Sequence, residues 1–298
     1  MPSELRFDGR VAVVTGAGRG IGRAYALLLA ARGAHVVVND LGSSTGGEGA
    51  DSGPAAAVVE EITAAGGSAI PDTNDIATGA GADALVGAAL ERWGRIDALV
   101  NNAGIVRFAA LPEADAENLD AHLDVHVRGS LLTTRAAWPH FTSQGYGRVV
   151  MTTSSGVFGL PVNLAYATAK GGIIGMTRSL AVAGEPLGIR INAIAPAAST
   201  RMGARKKGED PEMDPALVAP MAAYLAHEHC PVNGEVYTAG AGRFARLFLA
   251  TTPGYVQGSP TVEDVAAHWA QINDETGYGV PANLIDWSAK HLAHLPPT

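Results

Sequence analysis

The chain has 298 residues, room for one large α/β domain or two small ones. Hydrophobic residues make up 47%, enough for a sizeable core, which excludes intrinsic disorder. A formal net charge of −8, with no basic stripe, argues against nucleic acid as a partner. The single cysteine, Cys230, has no internal disulfide partner, so a reducing compartment is expected. The N-terminus, Met-Pro-Ser-Glu-Leu-Arg, has no apolar signal core, and no run approaches the ~18 apolar residues that span a bilayer. A cytoplasmic protein with a small-molecule partner, and no membrane partner, is the expectation.

Residues 10 to 15, Arg-Val-Ala-Val-Val-Thr, read as a buried strand of a parallel sheet. The glycine-rich turn Thr15-Gly-Ala-Gly-Arg-Gly-Ile-Gly22 follows, then a helix over Arg23 to Arg32 and a second strand, His35 to Asn39, ending at Asp40. Strand, glycine turn, helix, strand and acid in that order form a dinucleotide-binding fingerprint. Gly16, Arg19, Gly20, Ile21 and Gly22 are the candidate contacts to the pyrophosphate, where glycines admit the backbone and the helix N-terminus stabilises charge. Asp40 can hold the adenosine ribose of NAD and repel the 2′-phosphate of NADP, whereas Arg19 could meet such a phosphate. The direct position of Asp40 favours NAD over NADP.

Residues 41 to 54 are rich in Gly and Ser, the mark of a mobile loop or plain surface insertion beside the adenosine end. A helix from Pro54 to about Ala65 precedes a short strand over Ser68 to Pro71. Asp75 then either hydrogen-bonds the adenine or caps the next helix, which runs to about Trp93. A buried strand over Ile96 to Val100 leads into Asn101-Asn-Ala-Gly104. Asn102, Ala103 and Gly104 thus stand at a strand's carboxyl end, where such sheets bind ligands, although an ordinary polar turn would look the same. One long helix is expected over Leu119 to Gln144, and a strand over Val149 to Thr153.

Tyr166 and Lys170 lie four residues apart in a helix extending to about Ala183, so they share a face. A cation there favours the phenolate and lowers the tyrosine pKa, tuning it for proton transfer. A strand over Ile189 to Ile194 follows. Residues 197 to 214 are irregular and charged, with Arg201, Arg205, Lys206 and Lys207. A helix at 214 to 227 and a strand over Gly234 to Thr238 complete the alternation. The alternation predicts a doubly wound, Rossmann-type parallel sheet in one α/β domain over 6–240, the dinucleotide-binding catalytic domain. A C-terminal extension, 241–298, includes an extra strand over Phe244 to Thr251 and a helix capped at Thr261. It is expected to pack on the core or on a neighbouring subunit.

Thr15 to Gly22, Asn101-Asn-Ala-Gly104, and Tyr166 with Lys170 resemble the short-chain dehydrogenase/reductase family in order and spacing. Further stretches, among them Val36-Val-Val-Asn-Asp-Leu-Gly42, His126-Val-Arg-Gly129 and Arg135-Ala-Ala-Trp-Pro139, resemble its NAD-linked (3R)-hydroxyacyl-CoA dehydrogenase modules of peroxisomal multifunctional β-oxidation enzymes. The resemblance implies that Tyr166 is the general acid/base. Lys170 would lower its pKa and hold the nicotinamide ribose. A serine would hydrogen-bond the same substrate oxygen. Counting back thirteen residues from Tyr166 lands on Thr153, whereas matching from the strand side gives Ser154. Ser154 is preferred because loops absorb deletions more readily than strands, and Ser155 reads as a turn residue. His126 stands where the family commonly has asparagine, and its role, structural or catalytic, stays open. Pro196 and Thr200 resemble the segment that contacts the nicotinamide amide.

The basic group at 201–207 could meet CoA phosphates or form a solvated lid. His227, His229 and Cys230 have no metal-ligand context, so no metal is expected. The implied activity is NAD-dependent interconversion of a secondary alcohol and a ketone. A 3-hydroxyacyl-CoA is the first substrate, and a steroid, terpene or other hydrophobic alcohol the alternative. Different-class rivals are an NAD-binding sensor without turnover and a purely structural subunit. The family's habit implies a homodimer or homotetramer.

Overall fold

A computed structural model describes residues 4–202 and 210–295. Its frame is an eight-stranded sheet: β1 (Val11–Thr15), β2 (His35–Asn39), β3 (Ser68–Asp72), β4 (Ala98–Asn101), β5 (Gly147–Thr152), β6 (Ile189–Pro196), β7 (Val236–Gly240) and β8 (Arg243–Leu247). The strand order is β3-β2-β1-β4-β5-β6-β7-β8, and β1 to β7 pair in parallel. β7 and β8 are joined through Ala241 and Gly242 alone, both at positive φ. A two-residue connection permits only an antiparallel hairpin.

The helices are α1 (Gly20–Ala31), α2 (Gly53–Ala64), α3 (Gly79–Trp93), α4 (Ala116–His122), α5 (Gly129–Gln144), α6 (Leu164–Gly184) and α7 (Ala219–Ala226). Alternate strand residues face opposite sides of the sheet. Ala12, Val14, Val36, Val38, Val100 and Val150 meet Tyr25 and Leu29 of α1, Val58 and Ile62 of α2, and Ala222 and Leu225 of α7. The other face carries α3, α5 and α6. Each large apolar side chain buried there contributes roughly 1.5–3 kcal/mol to the driving force. Among the described residues no helix is long and apolar enough to cross a membrane.

Two element boundaries differ from expectation for physical reasons. The long helix starts early, at Ala116, because Asp115 caps it by accepting from Asn118 N at 2.8 Å. Between α4 and α5 the chain widens into a π-helical segment, Leu123–Arg128. The helix expected over 214 to 227 is confined to α7, since Pro211 and Pro215 each open a short 3₁₀ turn instead. The hairpin carries the first compact unit past Gly240 to Arg246. The second unit, from Leu247 onward, holds α8 (Val262–Ala267), α9 (Trp269–Ile272) and α10 (Leu284–His291). Thr261 and Asp264 form a capping box on α8.

Candidate active site

The strand order reverses between β1 and β4, and a cavity of about 480 Å³ opens there. Gly16, Arg19, Gly20, Ile21, Gly22, Asp40, Asp75, Asn102, Ala103, Gly104 and Thr200 all line it, as the motif reading expects. The turn after β1 is packed to the limit. A Cβ on Gly22 would sit 2.2 Å from Gly16 O, and one on Gly16 would sit 2.7 Å from Ala103 Cα. Gly16 also has φ +62°. Thr15 Oγ1 accepts from Asn102 N and Ala103 N, both at 3.0 Å, and Asn102 Nδ2 donates to Thr15 O at 3.0 Å. These bonds fasten the ends of β1 and β4 together beneath the cavity.

The donor set suits a dinucleotide. No side chain caps α1, so its first N–H groups face the cavity free to meet a pyrophosphate. The Asp40 carboxylate is fixed by Gly18 N and Gly42 N, each donating at 2.8 Å, and it lines the wall. Asp75 shares that wall, with Oδ1 accepting from Ala77 N at 2.9 Å. The cap of α3 itself is Thr78, which accepts from Gly81 N.

The Gly/Ser-rich loop is tied down rather than left as a bare insertion. Ser43 O accepts from Arg19 and Arg201, Thr45 O from Val106 N, and Gly46 O from Arg107 Nε. Ser43 and Gly47 thereby join the cavity wall. Arg201 lines the cavity too, while Arg205, Lys206 and Lys207 lie outside the described residues. Pro196 ends β6 and is not part of the wall; Ser199 and Thr200, three and four residues on, are.

Ser154, Tyr166 and Lys170 stand one side chain beyond the cavity's end. His126 bridges the two: a Cβ on Gly104 would sit 2.5 Å from His126 Cε1, and the His126 ring meets the Tyr166 ring edge-on at 5.4 Å. Ser154 follows β5, and its Oγ and Tyr166 Cε1 each lie 3.3 Å from where a Cβ on Gly156 would sit. The same Oγ accepts from Gly156 N at 3.0 Å. Thr153 is not brought to the tyrosine; its hydroxyl is buried and donates to Lys170 O at 2.7 Å. Lys170 Nζ donates to Thr152 O at 2.8 Å and lies 5.6 Å from the Tyr166 ring centroid.

The expected lowering of the tyrosine pKa does not occur. Burial pushes Tyr166 above its ordinary value, and the neighbouring Ser154 hydroxyl opposes this only in part. Burial also pushes Lys170 down to about 7, so it is not the full cation that the spacing argument assumed. His126 is held neutral, chiefly by burial and then by the Lys170 charge. Its Nε2 meets Ile105 N at 3.3 Å and Ile105 O at 2.9 Å, while Nδ1 has no partner.

Two neighbours escaped the sequence reading. His122, one turn before His126, lies edge-on to Tyr166 at 6.1 Å and stacks on His126 at 5.9 Å. Its tautomer follows from its bonds: Nδ1 donates to Asn118 O, and Nε2 accepts from Arg107 N. The i, i+4 spacing of the two histidines was the signal available for it. Asn163, three residues before Tyr166, is the other; it carried no signal in the sequence.

The profile of the family described as short chain dehydrogenase matches residues 10–211. A short-chain type dehydrogenase/reductase of Mycobacterium tuberculosis is 45% identical over 274 residues, covering 90% of this chain and 95% of the relative. The peroxisomal multifunctional enzyme type 2 of Drosophila melanogaster is 42% identical over 299 residues, covering 98% of this chain but 48% of the relative. The chain thus spans about half the length of that multifunctional relative. The crystal structure of a short chain dehydrogenase from Mycobacterium avium superposes with a TM-score of 0.79 at 37% identity, covering 89% of this chain and 95% of that one. The full-length Drosophila enzyme gives 0.80 at 37% identity, covering 97% and 50%. Profile, relatives and superpositions agree with one another: the chain belongs to the short-chain dehydrogenase family.

Proposed function

We propose that this oxidoreductase uses NAD to interconvert a secondary alcohol and a ketone, with a 3-hydroxyacyl-CoA as its substrate. The observation that carries the reading is the grouping of the Ser154 hydroxyl, Tyr166 and Lys170 beside a cavity suited to a dinucleotide. Gly16, Arg19, Gly20, Ile21 and Gly22 would hold the pyrophosphate, Asp40 the adenosine ribose, and Asp75 the adenine side. Asn102, Ala103, Gly104 and Thr200 would flank the ring-bearing half. NAD, when bound, supplies the hydride chemistry.

The chain's own work is protonic and positional. Tyr166 has its pKa pushed up, so it is a phenol at neutral pH and donates its proton to the carbonyl oxygen during reduction. Ser154 donates to the same oxygen, which orients the substrate and supports the charge that develops there. Lys170 is close enough for its charge to act on the Tyr166 ring, and it would also hold the nicotinamide ribose. The neutral His122 and His126 rings wall the tyrosine in and exclude water from one side.

The thioester substrate rests on the sequence resemblance and on the 42% identity to a peroxisomal multifunctional enzyme. Association into a homodimer or homotetramer belongs to the same reading. The test is a turnover screen with both NAD and NADP over acyl-CoAs, hydroxysteroids and simple secondary alcohols. Preferred use of NAD with 3-hydroxyacyl-CoA is the expected result. Dinucleotide binding without turnover of any alcohol would favour the sensor reading instead.

A further inference from the structure

Asn163 immediately precedes α6, three residues before Tyr166. Asparagine is a preferred residue there because its oxygen can accept from the helix's first free amides. It does not do so here: the backbone sits at φ −123°, ψ 21°, and no cap bond forms. The side chain is nonetheless 6% exposed, and its Oδ1 is buried without a partner. Among the described residues no hydrogen bond reaches its Nδ2 either, and that nitrogen, unlike Oδ1, is not fully enclosed. Buried amides are almost always paired, because an unpaired one forfeits its hydration for nothing.

The backbone of the residue is held on both sides. Its N–H donates to Leu160 O at 3.1 Å and its carbonyl accepts from Ala167 N at 2.8 Å. A parallel bridge ties it to Ala109, whose N–H donates to Val162 O at 3.0 Å. The amide lies close to the reacting groups. A Cβ built on Gly156 would lie 2.8 Å from Asn163 Nδ2, 3.3 Å from Ser154 Oγ and 3.3 Å from Tyr166 Cε1. Nδ2 and the Ser154 hydroxyl are therefore no further apart than the sum of the first two distances.

We propose that Asn163 is a specificity-determining residue whose side-chain amide donates to a second oxygen of the substrate, borne two carbons from the reacting carbon. The proposal rests on the dehydrogenase reading above. Ser154 and Tyr166 take the reacting oxygen, and Asn163 takes its neighbour. The matching chemistry is a 1,3-dioxygenated chain, of which a 3-oxoacyl thioester is one member. A ketone with a single oxygen leaves the amide as unpaired as it is in the free protein, and gains nothing from it.

The test compares wild type with Asn163→Leu and Asn163→Asp, using NADH with acetoacetyl-CoA and with 2-heptanone. Leucine removes the polar atoms at similar volume, and aspartate removes the donor while keeping oxygens. Both should lower kcat/KM for acetoacetyl-CoA by roughly 10- to 100-fold, the worth of one buried hydrogen bond. Turnover of 2-heptanone should stay within about twofold, and NADH binding followed by fluorescence should not change. Equal loss on both ketones, or full activity in either variant on acetoacetyl-CoA, would overturn the proposal. Thermal melting gives a second readout that needs no substrate. An amide kept for a ligand should make Asn163→Leu melt at or above wild type. A fall of more than about 4 °C would mean that the fold itself uses the amide, and would sink the idea. If wild type binds NADH yet reduces neither ketone, the dehydrogenase reading fails, and melting alone decides for or against Asn163.

Discussion

The contact between Gly104 and His126 gives the sharpest forecast. A methyl group on Gly104 would sit 2.5 Å from His126 Cε1 and 3.1 Å from its Nδ1. Carbon contacts are comfortable at ~3.5–4.0 Å, so the ring must retreat by about 1 Å. His126 is 1% exposed and its Nε2 is held at Ile105, so the open direction is toward Tyr166, whose ring centroid is 5.4 Å away. Overpacking of this kind costs about 1–3 kcal/mol. A displaced tyrosine costs more in rate than in stability, since a 1 Å misplacement of a reacting group is worth on the order of 10²-fold. Gly104→Ala should therefore melt a few degrees lower and lose kcat out of proportion. Gly104 also lines the dinucleotide cavity, so the decisive assay is a double-mutant cycle with His126→Ala. The single histidine variant is itself costly, because Ile105 loses its partner. The cycle should still show a coupling of about 0.5–3 kcal/mol in the rescuing direction. Strict additivity, or a Gly104→Ala protein as stable and active as wild type, would refute the packing argument.

Other consequences follow from the same geometry. The folded pKa of Lys170, about 7, lies below its ordinary value of 10.5, so the unfolded chain binds more protons between those values. Stability of the free protein should rise with pH through that window, with the burial penalty fully present below about 7. Melting curves of wild type and Lys170→Met measured across the window should converge as pH rises, and a constant difference would contradict the assignment. Asp40→Asn keeps an acceptor for one of the two backbone amides but removes the charge. It should raise NADPH use relative to NADH by roughly tenfold or more, and an unchanged ratio would hand cofactor choice to Arg19 and Arg201. Ser154→Ala should lower kcat by about 10²–10³-fold with little change in melting. Thr153→Val should instead lower stability by about 1 kcal/mol, because Lys170 O loses a bond, and leave kcat nearly intact. The opposite pattern would move the catalytic hydroxyl to Thr153.

Much of this site was legible because its determinants are local. The turn from Thr15 to Gly22 sits between a strand and a helix, and Asp40 closes the next strand, all within one β-α-β unit. Tyr166 and Lys170 announced themselves by helical spacing. What burial decides was not legible. The tyrosine pKa moves up rather than down because both members of the pair are enclosed. Asn163 carried no signal in the sequence, and only the structure shows that its side chain makes no cap bond on the helix it precedes. The π-helical segment over Leu123–Arg128 is equally silent in the residues. Ser154 fell between these cases: the strand-side alignment favoured it over Thr153, and the Thr153 hydroxyl is occupied by Lys170 O while Ser154 Oγ stays near Tyr166.

The central claim is that Tyr166 carries the proton in an NAD-linked carbonyl reduction. Its most direct test is the rate of NADH oxidation with acetoacetyl-CoA by wild type and Tyr166→Phe, alongside NADH binding to each. The account predicts a loss of about 10²–10⁴-fold in kcat, the usual worth of a positioned acid, with NADH affinity within about twofold. Turnover by Tyr166→Phe close to the wild-type rate would contradict it.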